Sequence, residues 1–149
     1  MKIIERIMRF GTLLSSLAFV GAILIQIYAR FFLETAPSWT EEASRFFFVY
    51  AMSFAAGLAM KDNEFVRLDW IYDKLSASHK EIVNVGVSLI TLILFLITGV
   101  YSTQYIVLGW KESSPSLGWT MGVAFISILL MSVSISFYTI VKLKNKEFE

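Results

Sequence analysis

The sequence contains no cysteine. That removes disulfides, thiolate metal sites and cysteine nucleophiles, and it leaves the redox compartment undetermined. The single histidine, His79, cannot by itself build a multi-histidine metal site or a bis-histidine haem site. Charge is also scarce. Charged residues make up 17% of the chain, against roughly 25% in soluble domains. The formal net charge is only +1, so there is no basic excess of the kind that binds nucleic acid. The two prolines, Pro37 and Pro115, stand in polar connections and interrupt no apolar run. What is plentiful is apolar surface: 56% of the residues are hydrophobic, with a mean hydropathy of +0.66. These proportions define a polytopic helical membrane protein.

Four spans are expected, at about 8–32, 38–61, 80–110 and 117–141. The first begins with Lys2, Arg6 and Arg9 and continues for about twenty uncharged residues, enough to cross a hydrocarbon core of roughly 30 Å. A signal peptide has a shorter apolar core and a small-x-small cleavage site. No good site of that kind precedes Ala29, so this helix is read as retained. Span three carries about twenty-nine uncharged residues and must tilt or protrude. Ser38 with Glu41, and Ser78 with Glu81, have capping-box spacing and mark expected helix starts. Between spans two and three, Leu68, Ile71, Tyr72 and Leu75 recur at i, i+3, i+4, i+7. That pattern predicts a short amphipathic helix over about 63–76 lying at the membrane surface, with Trp70 and Tyr72 at interfacial depth.

Small residues mark the expected packing seams. Ala51, Ala55 and Ala59 recur every fourth residue of span two, with Ser53 and Gly57 beside them. Phe46, Phe47, Phe54 and Leu58 make its opposite surface bulkier. In span four, Gly118 and Gly122 form a G-x-x-x-G pair. Such spacings let helices approach closely.

Span two has one charged edge. Its uncharged part, residues 46–60, is too short to cross alone, so Glu41, Glu42 and Arg45 are drawn against the membrane boundary. Ionisable groups there usually face protein or water. Arg45 is four residues from Glu41 and three from Glu42, so the spacing lets it pair with either. Glu42 and Arg45 are expected to fix the outer end of span two, against neighbouring spans or a partner chain.

Basic residues give the orientation. With both termini cytoplasmic, ten lie inside (Lys2, Arg6, Arg9, Lys61, Arg67, Lys74, Lys80, Lys142, Lys144 and Lys146) and three outside (Arg30, Arg45 and Lys111). That split favours N-in, C-in. Trp39, Trp110 and Trp119 then fall at the outer interface and Trp70 at the inner one. The fold class is therefore an all-α integral membrane protein: four transmembrane helices, N-in/C-in, with a surface helix between spans two and three. A chain of this size is expected to form a single membrane domain over 1–149.

No nucleophile–base pair, phosphate-binding glycine loop or metal-ligand cluster is visible, and no catalytic, cofactor or metal residue is assigned. Spans one, three and four have no charge in their cores, whereas a secondary transporter usually holds its site near the midplane on broken helices. The residues describe a helical packing partner with one charged edge.

Trp39-Thr40-Glu41-Glu42-Ala43-Ser44-Arg45, then Gly57, then Arg67-Leu68-Asp69 resembles the small membrane subunit of tripartite ATP-independent periplasmic (TRAP) transporters, the DctQ-like family. The resemblance covers nearly the whole chain. It departs at Phe65, where family members often have a histidine. The resemblance implies four spans with cytoplasmic termini in a bacterial inner membrane. It implies a separate large multi-span permease that moves substrate with sodium, and a periplasmic binding protein that delivers an organic acid such as a C4-dicarboxylate or sialic acid. The small subunit would act as a scaffold with no cofactor of its own. Trp39, Glu41, Glu42, Arg45, Gly57, Arg67 and Asp69 are its structural or partner-interface candidates.

Two other classes fit the residues less well. A small autonomous dimeric exporter of the multidrug type carries an essential carboxylate in its first span, and span one here has none in its core. A redox-complex membrane anchor would need haem ligands that one histidine does not supply in pairs.

Overall fold

The computed structural model describes residues 2–33, 37–62 and 76–145. They form four helices: α1 (Lys2–Phe32), α2 (Trp39–Lys61), α3 (Ala77–Gly109) and α4 (Met121–Asn145). All four contain stretches long and apolar enough to cross a membrane. The surface helix expected over 63–76, with Arg67 and Asp69, lies outside the described residues except for Ser76.

The helix starts differ from their sequence signals. Ser38 has helical backbone angles (φ −63°, ψ −26°) and makes no side-chain cap bond. A capping serine needs an extended backbone to aim its oxygen at the first free N–H groups, so the Ser38–Glu41 box does not form. The carbonyl of Pro37 serves instead, accepting from the Thr40 N–H at 3.3 Å and the Thr40 hydroxyl at 2.7 Å. The next helix starts ahead of Ser78. The helix has already begun at Ala77, with Ser76 in the cap position and without a side-chain cap bond.

Span four also starts later than expected. Residues 110–120 form a folded loop with a bridge between Ser113 and Thr120. Its backbone is held by Ser114 N–H to Trp119 O (2.7 Å), Gly118 N–H to Ser114 O (3.0 Å) and Met121 N–H to Glu112 O (2.9 Å). Gly118 lies in this loop at φ +68°, in the left-handed region that favours glycine. It is therefore not a helix-packing residue, and the Gly118–Gly122 pair is not a helix face. The close partner of Gly122 is Gly109 on α3: a Cβ added at Gly109 would stand 2.7 Å from the Gly122 nitrogen.

The extensive contacts run α1 to α2, α2 to α4, and α4 to α3. α2 and α4 are thus the inner pair, and α1 and α3 flank them. The inner helices run in the same direction, because Phe46 meets Trp119, Tyr50 meets Val123 and Gly57 meets Ser134 in register. Most of the apolar stretch of α1 and α3 remains exposed, while α2 and α4 bury far more of theirs. Exposed apolar area of that extent requires lipid or protein around it.

The seams close on small residues. The Phe54 ring lies over Gly11, where an added Cβ would come within 2.8 Å of three ring carbons. At Gly57 an added Cβ would meet Met8 Cε at 2.5 Å and Ser134 Cβ at 2.8 Å, so α1, α2 and α4 converge there. Met8, Met60, Ile135 and Tyr138 form the adjoining buried cluster. Of the alanine row, Ala51 is buried, whereas Ala55 and Ala59 are half-buried; Ser53, Gly57 and Met60 carry the deeper contact. The bulky surface of α2 packs as well: Phe46 is buried and Phe54 covers Gly11. In α4, the buried hydroxyls of Ser127, Ser132, Ser134 and Thr139 donate to carbonyls of their own helix. They act as small residues whose polarity is satisfied locally.

The seam geometry sets a packing test. Gly57→Ala is expected to destabilise the protein by about 1–3 kcal/mol, the usual range for overpacking, read as a lower thermal midpoint in detergent. Gly21→Ala meets nothing within 4 Å and is expected to leave that midpoint unchanged or slightly raised. Equal midpoints for the two variants would contradict the seam.

Candidate functional site

The charged edge of α2 divides its groups between two tasks. Within the first turns of the helix, the Thr40 side chain turns inward and is fully buried, and the Ser44 hydroxyl donates to the Glu41 carbonyl at 2.8 Å. Arg45 pairs with Glu41, one turn away, through Nη2 and Oε1. Both side chains are largely exposed, at 74% and 56%. An exposed pair of this kind contributes only about 0–1 kcal/mol.

Glu42 does something else. Its Oε2 accepts from the Ser114 hydroxyl, from the Ser116 N–H at 3.0 Å and from the Leu117 N–H at 2.9 Å. Two successive amides and a buried hydroxyl of the 110–120 loop thus enclose one carboxylate oxygen. Hydrogen bonds to an ionised acceptor are stronger than neutral ones, and a carboxylate near the start of a helix is favoured by the helix dipole. Of the two carboxylates that spacing offers Arg45, the structure pairs it with Glu41. The loop's donors take the Glu42 oxygen.

Aromatic contacts continue this junction inward. The Phe46 and Trp119 rings meet edge to face with centroids 5.7 Å apart, and the Tyr50 hydroxyl donates to the Val123 carbonyl at 2.6 Å. Glu42, Phe46 and Tyr50 are spaced by four, so one side of α2 holds the loop and the start of α4 together. Trp39, Glu41 and Arg45 stay exposed at the same end and remain open to a partner. Gly57 belongs to the internal seam described above.

The opposite end of α2 holds a second cluster that spacing did not identify. Lys61 pairs with Glu5 of α1 at 2.8 Å and lies 3.5 Å from Asp62, while Arg9 reaches Glu5 at 3.0 Å. Glu5 is the one acidic residue in an otherwise basic start, which was the available signal. Among the described residues, no group of three His, Cys, Asp or Glu side chains is placed to hold a metal ion.

The helices, their exposed apolar flanks and the two polar ends define an integral membrane protein built for association. The family model for "Tripartite ATP-independent periplasmic transporters, DctQ component" matches residues 19–147. The chain belongs to this family and is a TRAP transporter small permease subunit, a transport component and not an enzyme. A Haemophilus influenzae protein named as a TRAP transporter small permease protein is 22% identical over 136 residues, covering 91% of this chain and 82% of the relative.

The two tasks separate by mutation. Glu42→Ala removes the acceptor of three hydrogen bonds and is expected to lower the thermal midpoint by several degrees and to raise protease sensitivity in the 110–120 loop. Arg45→Ala removes an exposed pair and is expected to change neither. Equal effects on loop proteolysis would refute the assignment.

Proposed function

We propose that this chain is the static scaffold of a sodium-coupled importer of an organic acid, such as a C4-dicarboxylate or sialic acid. A large multi-span permease carries the transport path and the sodium sites, and a periplasmic binding protein delivers the substrate. The observation that carries this reading is where the chain's polar chemistry goes. The buried hydroxyls of Ser132 and Thr139 in α4 bond to their own backbone, Glu42 is taken up by a loop, and Glu5 by Lys61. The apolar flanks of α1 and α3 are left to lipid and to the permease. The chain itself holds no cofactor in this reading, and substrate selectivity resides in the partner chains.

The chain sits in a bacterial inner membrane with both termini cytoplasmic. The ten-to-three split of basic residues supports that orientation. The Glu42 junction then faces the periplasm and the Glu5–Lys61 pair the cytoplasm. Exposed Trp39, Glu41 and Arg45 form the periplasmic contact available to a partner. The segment 63–76 lies along the inner leaflet as an amphipathic helix. Spin labels at Leu68, Ile71 and Leu75 should then be lipid-accessible and one at Asp73 water-accessible; uniform water accessibility would reduce it to a loop.

Topology is tested by reporter fusions at Glu149 and near Ser113, with cytoplasmic and periplasmic signals expected in turn. A periplasmic signal at Glu149 would overturn the orientation. Function is tested by co-purification with a permease encoded beside this chain and by uptake into proteoliposomes. Sodium-dependent uptake is expected with both membrane subunits and the binding protein, and loss of it without this chain. Full uptake by the permease and binding protein alone would refute the scaffold role.

A further inference from the structure

The first three turns of α1 have three distinct sides. Met8 is buried and Glu5 half-buried, and both face α2, where Glu5 meets Lys61. Ile3, Ile7 and Phe10 recur at i, i+4, i+7 and are 74%, 60% and 65% exposed. Lys2, Arg6 and Arg9 recur at the same intervals and are exposed as well. At 100° per residue the basic row falls between the packing side and the apolar row.

The pairing pattern leaves this row positive. Glu5 is drawn toward Lys61 and Arg9. No described carboxylate lies within ion-pairing distance of Lys2 or Arg6. The uncharged stretch that begins at Phe10 fills the hydrocarbon thickness, so the basic row stands at headgroup depth. Phe10 and Ile7 stand just beneath it.

We infer that this corner of α1 binds an anionic phospholipid. Lys2 and Arg6 hold the headgroup phosphate, and one acyl chain lies along Ile3, Ile7 and Phe10. A soluble phosphate would satisfy the cations but leave the apolar row beside them without a role. A zwitterionic lipid would cover the apolar row but return less charge. An anionic lipid matches both rows at once. The site depends on the depth of this end in a bilayer and not on which leaflet it occupies, so it stands apart from the topology and scaffold assignments.

The test is native mass spectrometry of the full chain in detergent, titrated with phosphatidylglycerol or phosphatidylcholine. Phosphatidylglycerol is expected to bind more tightly. A Lys2→Gln/Arg6→Gln double variant should weaken it by about fivefold per charge, more than tenfold in total, and bring it to the level of phosphatidylcholine. An Arg30→Gln/Lys111→Gln variant, which removes two exposed cations elsewhere, should retain the wild-type preference. Thermal midpoints of both variants report that the helices remain folded. Equal affinity for the two lipids, or an unchanged preference in the Lys2/Arg6 variant, would overturn the inference. Displacement of the lipid by soluble glycerol phosphate would show a phosphate site without a lipid and would also overturn it.

Discussion

α1, α2 and α4 meet where Gly57 leaves no Cβ in the gap, with Met8 on one side and Ser134 on the other. Inside a bilayer there is little hydrophobic gain from bringing helices together, because lipid tails are as apolar as leucine. Association then rests on van der Waals contact, which falls off within an ångström of separation. The approach at Gly57, the Phe54 ring over Gly11 and the Gly109–Gly122 contact between α3 and α4 supply that contact where the fold needs it. With those seams in place, α2 and α4 become the inner pair and α1 and α3 are left to face outward.

Polar groups are handled by proximity. The hydroxyls of Ser127, Ser132, Ser134 and Thr139 along α4 bond one turn back, so they cost little and serve as small side chains. Charges are kept to the two ends. At one end Glu42 draws the 110–120 loop onto α2, and at the other Lys61 holds Glu5 of α1. These ties act on different neighbours: the first joins α2 to the α3–α4 connection, the second joins it to α1. Together they fix α2 at both ends while its middle packs through glycine and serine. Such an internally tied layer fits the proposed scaffold role.

The proposed scaffold role implies a division of labour between this chain and a partner. In that role, the small permease subunit adds membrane area and anchoring surface to a larger protein; among its buried side-chain oxygens, those of Ser136 and Tyr138 have no hydrogen-bond partner among the described residues. The exposed Trp39, Glu41 and Arg45 lie beside the Glu42 junction, so a partner contacting them would touch a rigid corner of the molecule. The basic row of Lys2, Arg6 and Arg9 at the other end offers a charged edge to surrounding lipid.

Much of the fold was legible in the chain itself. Apolar length sets the number of spans, because twenty residues at 1.5 Å each must match the hydrocarbon thickness. The motif from Trp39 to Arg45 pointed to the family, and the family model confirmed it. Contact choices were not legible, because sequence spacing describes one helix and not its neighbours. Gly118 and Gly122 have helical spacing, yet Gly118 serves a left-handed turn and Gly122 meets Gly109 on another helix. Arg45 could reach either carboxylate by spacing, but Ser114, Ser116 and Leu117, more than seventy residues away, supply the donors that take Glu42. Ser38 has the capping letter but not the extended backbone, so Pro37 and Thr40 close the turn instead. Local periodicity and hydropathy are properties of a segment, and the chain alone determined them. Which donor meets which acceptor, and which glycine meets which helix, depends on the positions of all four helices at once, and only the tertiary structure decided it.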